Sequence, residues 1–337
     1  MTAITGSWVQ GGQRDGKDDT VNAIEVSHLT KHFGQLVALN DVNFSVTVGE
    51  TFGFLGPNGA GKTTTIRILT GITVPTGGEA KIFGKDIVKE TIAARKQMGI
   101  VHETSNIYTD LTSWQNLMFT AELYDVGKAE REKRGRDLLE LFGLWERRHD
   151  KTNGFSKGMK RRLTLAMGLI NDPRLIFLDE PTSGLDVQSN LIIRDVIRDL
   201  NARGVTVFLT THNIEEANLT CDRVAIINRG MIAAIDSPEK LKKTIQSVQS
   251  VEVALDPIPH QWEGLRGIAT VSEVRKLGDK FRLITEDPPA VIAGVMAYAE
   301  QQNARVISVN TYGPSLEDVF IKLTGLEIRH HGVKTVD

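Results

Sequence analysis

The sequence predicts an α/β fold with a small α+β domain behind it, and three observations carry that prediction. Apolar runs of strand length, "TFGFLG" (51–56), "RLIFLDEP" (174–181) and "VTVFLTTH" (205–212), alternate with helical patterns. A glycine-rich stretch, "GPNGAGKTTT" (56–65), joins the first of these runs to the helix after it. Beyond residue 248 the pattern of strands and helices starts again, after a short capped helix.

Composition sets the outer bounds. The 337 residues are 40% hydrophobic and 24% charged, with a formal net charge of −2, as in an ordinary globular protein. There is no excess of Lys and Arg, so nucleic acid is not an expected partner. Cys221 is the single cysteine, which excludes an intrachain disulfide and fits a reducing compartment. No apolar run reaches the roughly 18–20 residues that a membrane-spanning helix needs. The first residues carry no apolar signal core, and residues 1–22 are expected to form a disordered tail.

The elements follow in order. In "VNFSVTVGE", Val42, Phe44, Val46 and Val48 alternate with Asn43, Ser45 and Thr47, a half-buried strand ended by Gly49. "TFGFLG" is a short apolar strand, and residues 62–70 form a helix with Gly71 at its end. Thr112 or Ser113 can cap a helix through "WQNLMFTAELY". A second helix, "KAEREKRGRDLLELFGL", keeps Leu138, Leu139 and Phe142 on one side, and the two belong to a helical insert over about 104–172. "FSKGMKRRLTLAMGLINDP" opens another helix, closed off by Pro173. "RLIFLDEP" is apolar throughout between two prolines, as a buried parallel strand requires. A helix (187–203), a buried strand (205–212) and a hairpin (223–236) come next.

"SPEKLKK" has Ser237 at an N-cap and Pro238 at the first helical position, and is expected to end a first domain spanning 23–245. A second domain over 246–326 has strand patterns in "SVEVAL", "ATVSEV", "KFRLIT" and "RVISV" and a helix in "AVIAGVMAYAEQQ". Its closing helix spaces Leu316, Val319, Phe320 and Leu323 on one face, and a disordered tail is expected over 327–337.

The glycine-rich stretch fits GxxxxGK[ST], with Gly56, Gly61, Lys62 and Thr63 at the fixed places. Glycines let successive backbone N–H groups turn inward around a phosphate, and the helix N-terminus behind them adds positive potential. Lys62 can reach the β- and γ-phosphates of a nucleotide, and the Thr63 hydroxyl can ligate Mg²⁺. Asp179 and Glu180 end a buried strand of the same sheet. Asp179 can hold Mg²⁺ through water and Glu180 can polarise an attacking water.

With these segments in this order, the chain resembles the ATP-binding subunits of ABC transporters over about residues 24–245. "GPNGAGKTT" matches their phosphate loop, "FSKGMKRRL" their signature segment, "LIFLDEP" their magnesium strand, "SGLD" (183–186) their D-loop and "TTH" their switch histidine. The second domain, above all "PSLEDVFIKLTG", resembles the extension found on drug- and sodium-exporter ATPases of the ABC-2 type. The resemblance implies an ABC-type P-loop ATPase domain with an antiparallel β subdomain and a helical insert. It implies ATP and Mg²⁺ as ligands, with Gly56, Pro57, Asn58, Gly59, Ala60, Gly61, Lys62, Thr63 and Thr64 holding the phosphates. Phe33 would be the adenine platform. Two copies, or one copy and a homologous subunit, would enclose two ATPs, with Ser156 and Gly158 capping the γ-phosphate from across the interface. Asp186 would link the two sites. His212 would contact the γ-phosphate and position the catalytic Glu180. The C-terminal domain would serve regulation or dimerisation. A separate transmembrane permease is the other implied partner, reached through parts of 104–125, which puts the chain at the cytoplasmic face of the cell membrane and makes export the expected direction.

Three positions depart from the family pattern. The signature usually has Gly and Gln where this chain has Lys157 and Met159. Lys157 either adds positive charge near the phosphates or faces solvent. The family also places a glutamine where Glu103 stands in "GIVHETSNIYTDLT". Glu103 either joins the metal site, pairs with a base of the helical insert, or is a solvated loop acid. Rival readings are a soluble ABC-type ATPase without a transport role and a module that binds ATP without hydrolysis. The chromosome-maintenance type needs a long coiled coil after the phosphate loop, but only about 90 residues separate Lys62 from Ser156, without sustained heptads. The ribosome-acting type carries two cassettes in one chain, and Glu180 with His212 argues for hydrolysis.

Overall fold

The computed structural model describes residues 22–244, 249–259 and 261–325, and the chain divides into two compact units, 1–236 and 237–337. The expected tails lie outside the described residues, except that Asn22 opens the first strand.

The first unit begins with β1 (Asn22–Phe33), β2 (Leu36–Thr47) and β3 (Thr51–Leu55), and the glycine loop leads from β3 into α1 (Lys62–Leu69). Then come β4 (Gly77–Ile82), β5 (Lys85–Asp86), α2 (Thr91–Arg95) and β6 (Met98–Val101). The helical insert carries α3 (Ser113–Leu123), α4 (Lys128–Leu141) and α5 (Lys157–Leu169). It returns to β7 (Leu175–Asp179), α6 (Val187–Ala202), β8 (Thr206–Thr211), α7 (Ile214–Thr220), β9 (Arg223–Asn228) and β10 (Met231–Asp236). One sheet is antiparallel, in the order β2-β1-β4-β5, and is the expected antiparallel subdomain. The other runs β10-β9-β3-β8-β7-β6, parallel from β9 through β6.

A ring of phenylalanines joins the sheets. Phe44 of β2 stacks on Phe52 of β3 at 5.6 Å and lies 6.0 Å from Phe208 of β8, which in turn lies 5.4 Å from Phe177 of β7. Each such pair adds about 0.5–1.5 kcal/mol beyond its buried area. β3, β7 and β8 are buried at every residue, as strands covered on both faces must be. Because they are parallel neighbours, the segments that leave their C-terminal ends meet at one edge, where ligands of such sheets bind.

Local chemistry ends the helices as the sequence predicts. Thr112 Oγ1 accepts from Gln115 N–H at 3.1 Å while Gln115 Oε1 accepts from Thr112 N–H at 2.9 Å, a reciprocal cap on α3. At the end of α1, Gly71 has φ +69°, and Gly71 N–H and Ile72 N–H donate to Ile68 O and Arg67 O at 2.8 Å.

The second unit contains α8 (Pro238–Lys243), β11 (Gln249–Asp256), β12 (Val271–Leu277), β13 (Lys280–Thr285), α9 (Pro288–Gln301), β14 (Arg305–Tyr312) and α10 (Leu316–Thr324). Its sheet is antiparallel, in the order β12-β13-β11-β14, and α9 sets Val291, Val295 and Ala299 into one core with Val251, Val253, Phe281 and Leu283. The sequence puts Ser237–Lys243 in the first domain. The structure differs there: α8 lies against α10, so this helix goes with the second unit. Leu323 also departs from expectation, being 39% exposed while Leu316, Val319 and Phe320 are buried.

Candidate active site

β3 delivers the chain to Gly56, whose N–H donates to Thr211 O on β8 at 3.2 Å. A Cβ on Gly56 would stand 2.5 Å from Ile227 O, too close for any side chain. Gly61 has φ +111°, a backbone region that side chains rarely reach, and a Cβ there would stand 2.7 Å from Leu39 Cδ2. α1 begins at Lys62 with neither a side-chain cap nor an acid in its first turn, so its N-terminus keeps its attraction for an anion.

The acid pair lies opposite. Asp179 Oδ1 accepts from Thr210 Oγ1 at 2.5 Å and from Thr63 Oγ1 at 3.5 Å. Glu180 has φ +47°, and its N–H donates to Thr210 O at 3.1 Å. Its Oε1 lies 3.2 Å from Lys62 Nζ, and its Oε2 lies 2.8 Å from His212 Nδ1. Lys62 Nζ also donates to Gly56 O at 2.7 Å and Pro57 O at 3.2 Å. Lys62 and Glu180 are buried while the His212 side chain is half-exposed, so a cation, a carboxylate and an imidazole converge where water can still enter.

These groups line a cavity of about 550 Å³, together with Pro57, Asn58, Gly59, Gly61, Thr63 and Thr64. Gly56 and Ala60 belong to the same loop but are buried and do not line the cavity. Phe33 stands at the wall, 49% exposed, with Lys31 Nζ 4.8 Å from its ring centroid. Glu103 also faces the cavity. It is exposed, and among the described residues its carboxylate has no hydrogen bond or ion pair, so no base of the helical insert holds it.

Ser156, Gly158 and Asp186 gather elsewhere and do not line this cavity. Ser156 Oγ caps α5 by accepting from Met159 N–H at 3.2 Å. Asp186 caps α6, with Oδ1 accepting from Ser189 N–H at 2.8 Å and Oδ2 from Ser189 Oγ at 2.9 Å. Gly158 is what lets the two helix starts meet, since a Cβ there would stand 2.5 Å from Ser189 Oγ. Lys157 Nζ rests over Gly184.

Two residues at this edge escape the sequence reading. Thr210 ties Asp179 to Glu180, since its hydroxyl donates to the first and accepts the N–H of the second at 3.2 Å. Arg161 is 4% exposed and binds five backbone carbonyls, from His102, Glu103, Asp179, Glu180 and Pro181. Burial pulls its pKa down to about 10, opposed by the charges of Asp179, Glu103, Glu216 and Glu180, so the guanidinium stays charged at neutral pH. A signal for it exists in the sequence: Gly158, Arg161, Leu165 and Gly168 form one buried stripe of α5, with a cation at a core position.

The family model described as ABC transporter matches residues 39–183, and one described as AAA domain, putative AbiEii toxin, Type IV TA system matches residues 151–218. The linearmycin resistance ATP-binding protein of Bacillus subtilis is 34% identical over 309 residues, covering 91% of this chain and 99% of the relative. The Nod factor export ATP-binding protein I of Ralstonia nicotianae is 36% identical over 306 residues, covering 91% and 95%. A solved ATP-binding subunit of an ABC transporter superposes with a TM-score of 0.62 at 30% identity, over 66% of this chain and 93% of that one. A dimeric post-hydrolysis cassette bound to ADP and Pi superposes with a TM-score of 0.58 at 27% identity, over 64% and 98%. The loop, the acid pair and the histidine thus stand in a chain that belongs to the ABC transporter family, as one of its ATP-binding cassettes.

Proposed function

We propose that the chain hydrolyses ATP as the energy-supplying subunit of an exporter, paired with a second ATPase subunit and serving a separate transmembrane permease. One observation carries the hydrolytic part: Glu180 stands between Lys62, at 3.2 Å, and His212, at 2.8 Å, beside the phosphate loop. ATP would lay its adenine on Phe33 and its β- and γ-phosphates on the loop amides and Lys62. Glu180 takes the proton of the water that attacks the γ-phosphorus, and ADP leaves with its phosphate chain held by the loop. His212 fixes the carboxylate through Oε2 and offers its ring to the γ-phosphate.

The donor set near Thr63 and Asp179 fits Mg²⁺. A hydroxyl and a carboxylate 3.5 Å apart are hard oxygen ligands, and few protein ligands suffice where phosphates and waters complete the shell. When bound, Mg²⁺ offsets negative charge on the β- and γ-phosphates. Glu103 is a third candidate oxygen ligand on the same cavity.

A dimer accounts for the position of Ser156, Gly158 and Asp186 outside the cavity of their own subunit. At the N-terminus of α5, Ser156 and Gly158 would cap the γ-phosphate held by the second copy, and Asp186 would link the sites. Dimeric cassettes among the solved relatives support this. The permease would meet the groove of about 490 Å³ lined by Ile107, Tyr108, Leu111 and Phe119, where the two aromatic rings meet edge-on at 5.2 Å and stay exposed. Among the described residues no helix is long and apolar enough to cross a membrane. A place at the cytoplasmic face beside a separate permease belongs to the same proposal and follows from the likeness to exporter ATP-binding proteins. Export is the direction because the relatives above are named for resistance and export.

The test is phosphate release by the purified chain with Mg²⁺ and ATP, and identification of the membrane protein that a tagged chain retains after detergent extraction. Hydrolysis together with a retained polytopic partner is expected. A chain without ATPase activity, or one that leaves the membrane fraction alone, would overturn the reading.

A further inference from the structure

We propose that Arg161 is a positioning residue that couples the start of α5 to the hydrolytic carboxylate of its own subunit, an inference that rests on the ATPase reading above. Arg161 lies one turn beyond Ser156 and Gly158. Its Nε donates to Pro181 O at 2.9 Å. One terminal nitrogen donates to Asp179 O at 2.8 Å and Glu180 O at 3.0 Å. The other donates to His102 O and, at 3.3 Å, to Glu103 O. A guanidinium has five N–H groups in a rigid plane, and here all its acceptors are carbonyls of two segments, one carrying Glu103 and the other Glu180. Among the described residues no carboxylate pairs with it directly, so its charge is satisfied only while both segments keep their places.

The consequence is mechanical. The N-terminal half of α5 is tied through Arg161 to the backbone on either side of the Glu180 side chain. Glu180 itself sits in the left-handed region, φ +47°, a strained conformation that persists only while its surroundings hold it. When Ser156 and Gly158 engage the nucleotide of a second copy, a shift of α5 is passed to Glu180 and Glu103 in the subunit that owns the helix. Hydrolysis at one site would thereby answer to occupancy of the other, with no contact between the two nucleotides.

The test uses the full chain with Arg161→Lys and Arg161→Gln. Lysine keeps the charge but cannot span five carbonyls, so it should not rescue. For both variants kcat should fall by roughly 10–100-fold, the cost of misplacing a catalytic group by about 1 Å, while the KM for ATP stays within about threefold. Folded variants with kcat near that of the unaltered chain would overturn the inference, as would KM and kcat failing in parallel. Should neither variant fold, hydrogen exchange of the unaltered chain with a non-hydrolysable ATP analogue decides. Amides of 102–104, 157–161 and 179–183 should change protection together, and a change at 157–161 without one at 179–183 would refute the coupling. Absence of hydrolysis by the unaltered chain is the separate outcome that removes the ATPase reading and this inference with it.

Discussion

Lys62 and Glu180 form a buried ion pair, Nζ to Oε1 at 3.2 Å, with 6% and 8% of the side chains exposed. The cation that should hold the phosphates is therefore held by the carboxylate that should activate water. Nucleotide binding has to exchange one negative partner of Lys62 for another, which limits the net gain from the new contact.

Glu180→Gln separates the two roles. The amide keeps the shape and weakens the hold on Lys62, so ATP affinity should be unchanged or higher. Turnover should fall by about 10²–10⁴-fold because no carboxylate accepts the water proton. ATP should then accumulate a dimer, visible by size-exclusion chromatography. Lys62→Ala should instead weaken ATP binding itself. Equilibrium binding and single-turnover hydrolysis check both, and near-normal hydrolysis by Glu180→Gln would falsify the assignment.

Glu103 faces the cavity with no protein partner for its carboxylate among the described residues. A carboxylate there can ligate Mg²⁺, yet repels the γ-phosphate where the metal does not screen it. Glu103→Gln should shift the Mg²⁺ concentration for half-maximal ATPase activity by a factor of roughly 2–10, on the scale of a modest electrostatic contact. A Mg²⁺ titration of both proteins, with the permease present, reads this out. Superimposable curves and equal transport would reduce Glu103 to a solvated acid.

The parallel strands and the phosphate loop were legible because their requirements are local. β3 and β7 are apolar at nearly every position since both faces are covered, and Gly61 is demanded by its own φ. In the antiparallel sheet, alternation showed only the stretch around Val42, Phe44 and Val46 in β2, and not the other strands. β1 shifts register four times, between Asn22 and Ile24, Val26 and Leu29, Leu29 and Lys31, and Lys31 and His32, and each shift breaks the two-residue period. β4 opens on two glycines, and β6 has four residues. Motif order singled out Asp179, Glu180 and His212, but the carbonyls that Arg161 binds come from segments far apart in sequence, so only the fold reveals its role. The affiliation of α8 is likewise a tertiary fact, written in its contact with α10 rather than in its caps.

That contact moves the place to cut. A chain ending at Asp236 removes α8 together with α10 and should fold and bind ATP like the full chain. A chain ending at Lys243 leaves Leu241, 2% exposed in the intact protein, without the second unit around it. It should melt no higher and aggregate sooner, since a single exposed leucine gives up about 1.5–3 kcal/mol of burial. Thermal melts and ATP binding of both truncations decide. A chain ending at Asp236 that cannot fold would contradict the boundary, and one that still transports normally would deny the second unit a regulatory role.

Glu216 offers a prediction in pH. Its side chain is buried on α7 and accepts from Thr182 Oγ1 at 2.7 Å, just past the acid pair. Burial pushes its pKa above the usual carboxylate value, the Thr211 and Thr182 hydroxyls pull it down, and the charge of Glu180 pushes it up. A carboxyl whose folded pKa exceeds its unfolded one binds its proton more tightly in the native state. Its contribution to stability is fully present below the unfolded pKa and is lost as pH rises through the folded pKa. Glu216→Gln cannot ionise and still offers Thr182 an oxygen. Its melting temperature at pH 8 should therefore exceed that of the unaltered chain by roughly 2–4 °C, the response of a domain this size to about 1 kcal/mol. The gap should close as pH falls toward the unfolded carboxylate range. Melting curves from pH 4.5 to 8.5 measure it, and a constant difference across that range would mean that ionisation of Glu216 costs the fold nothing.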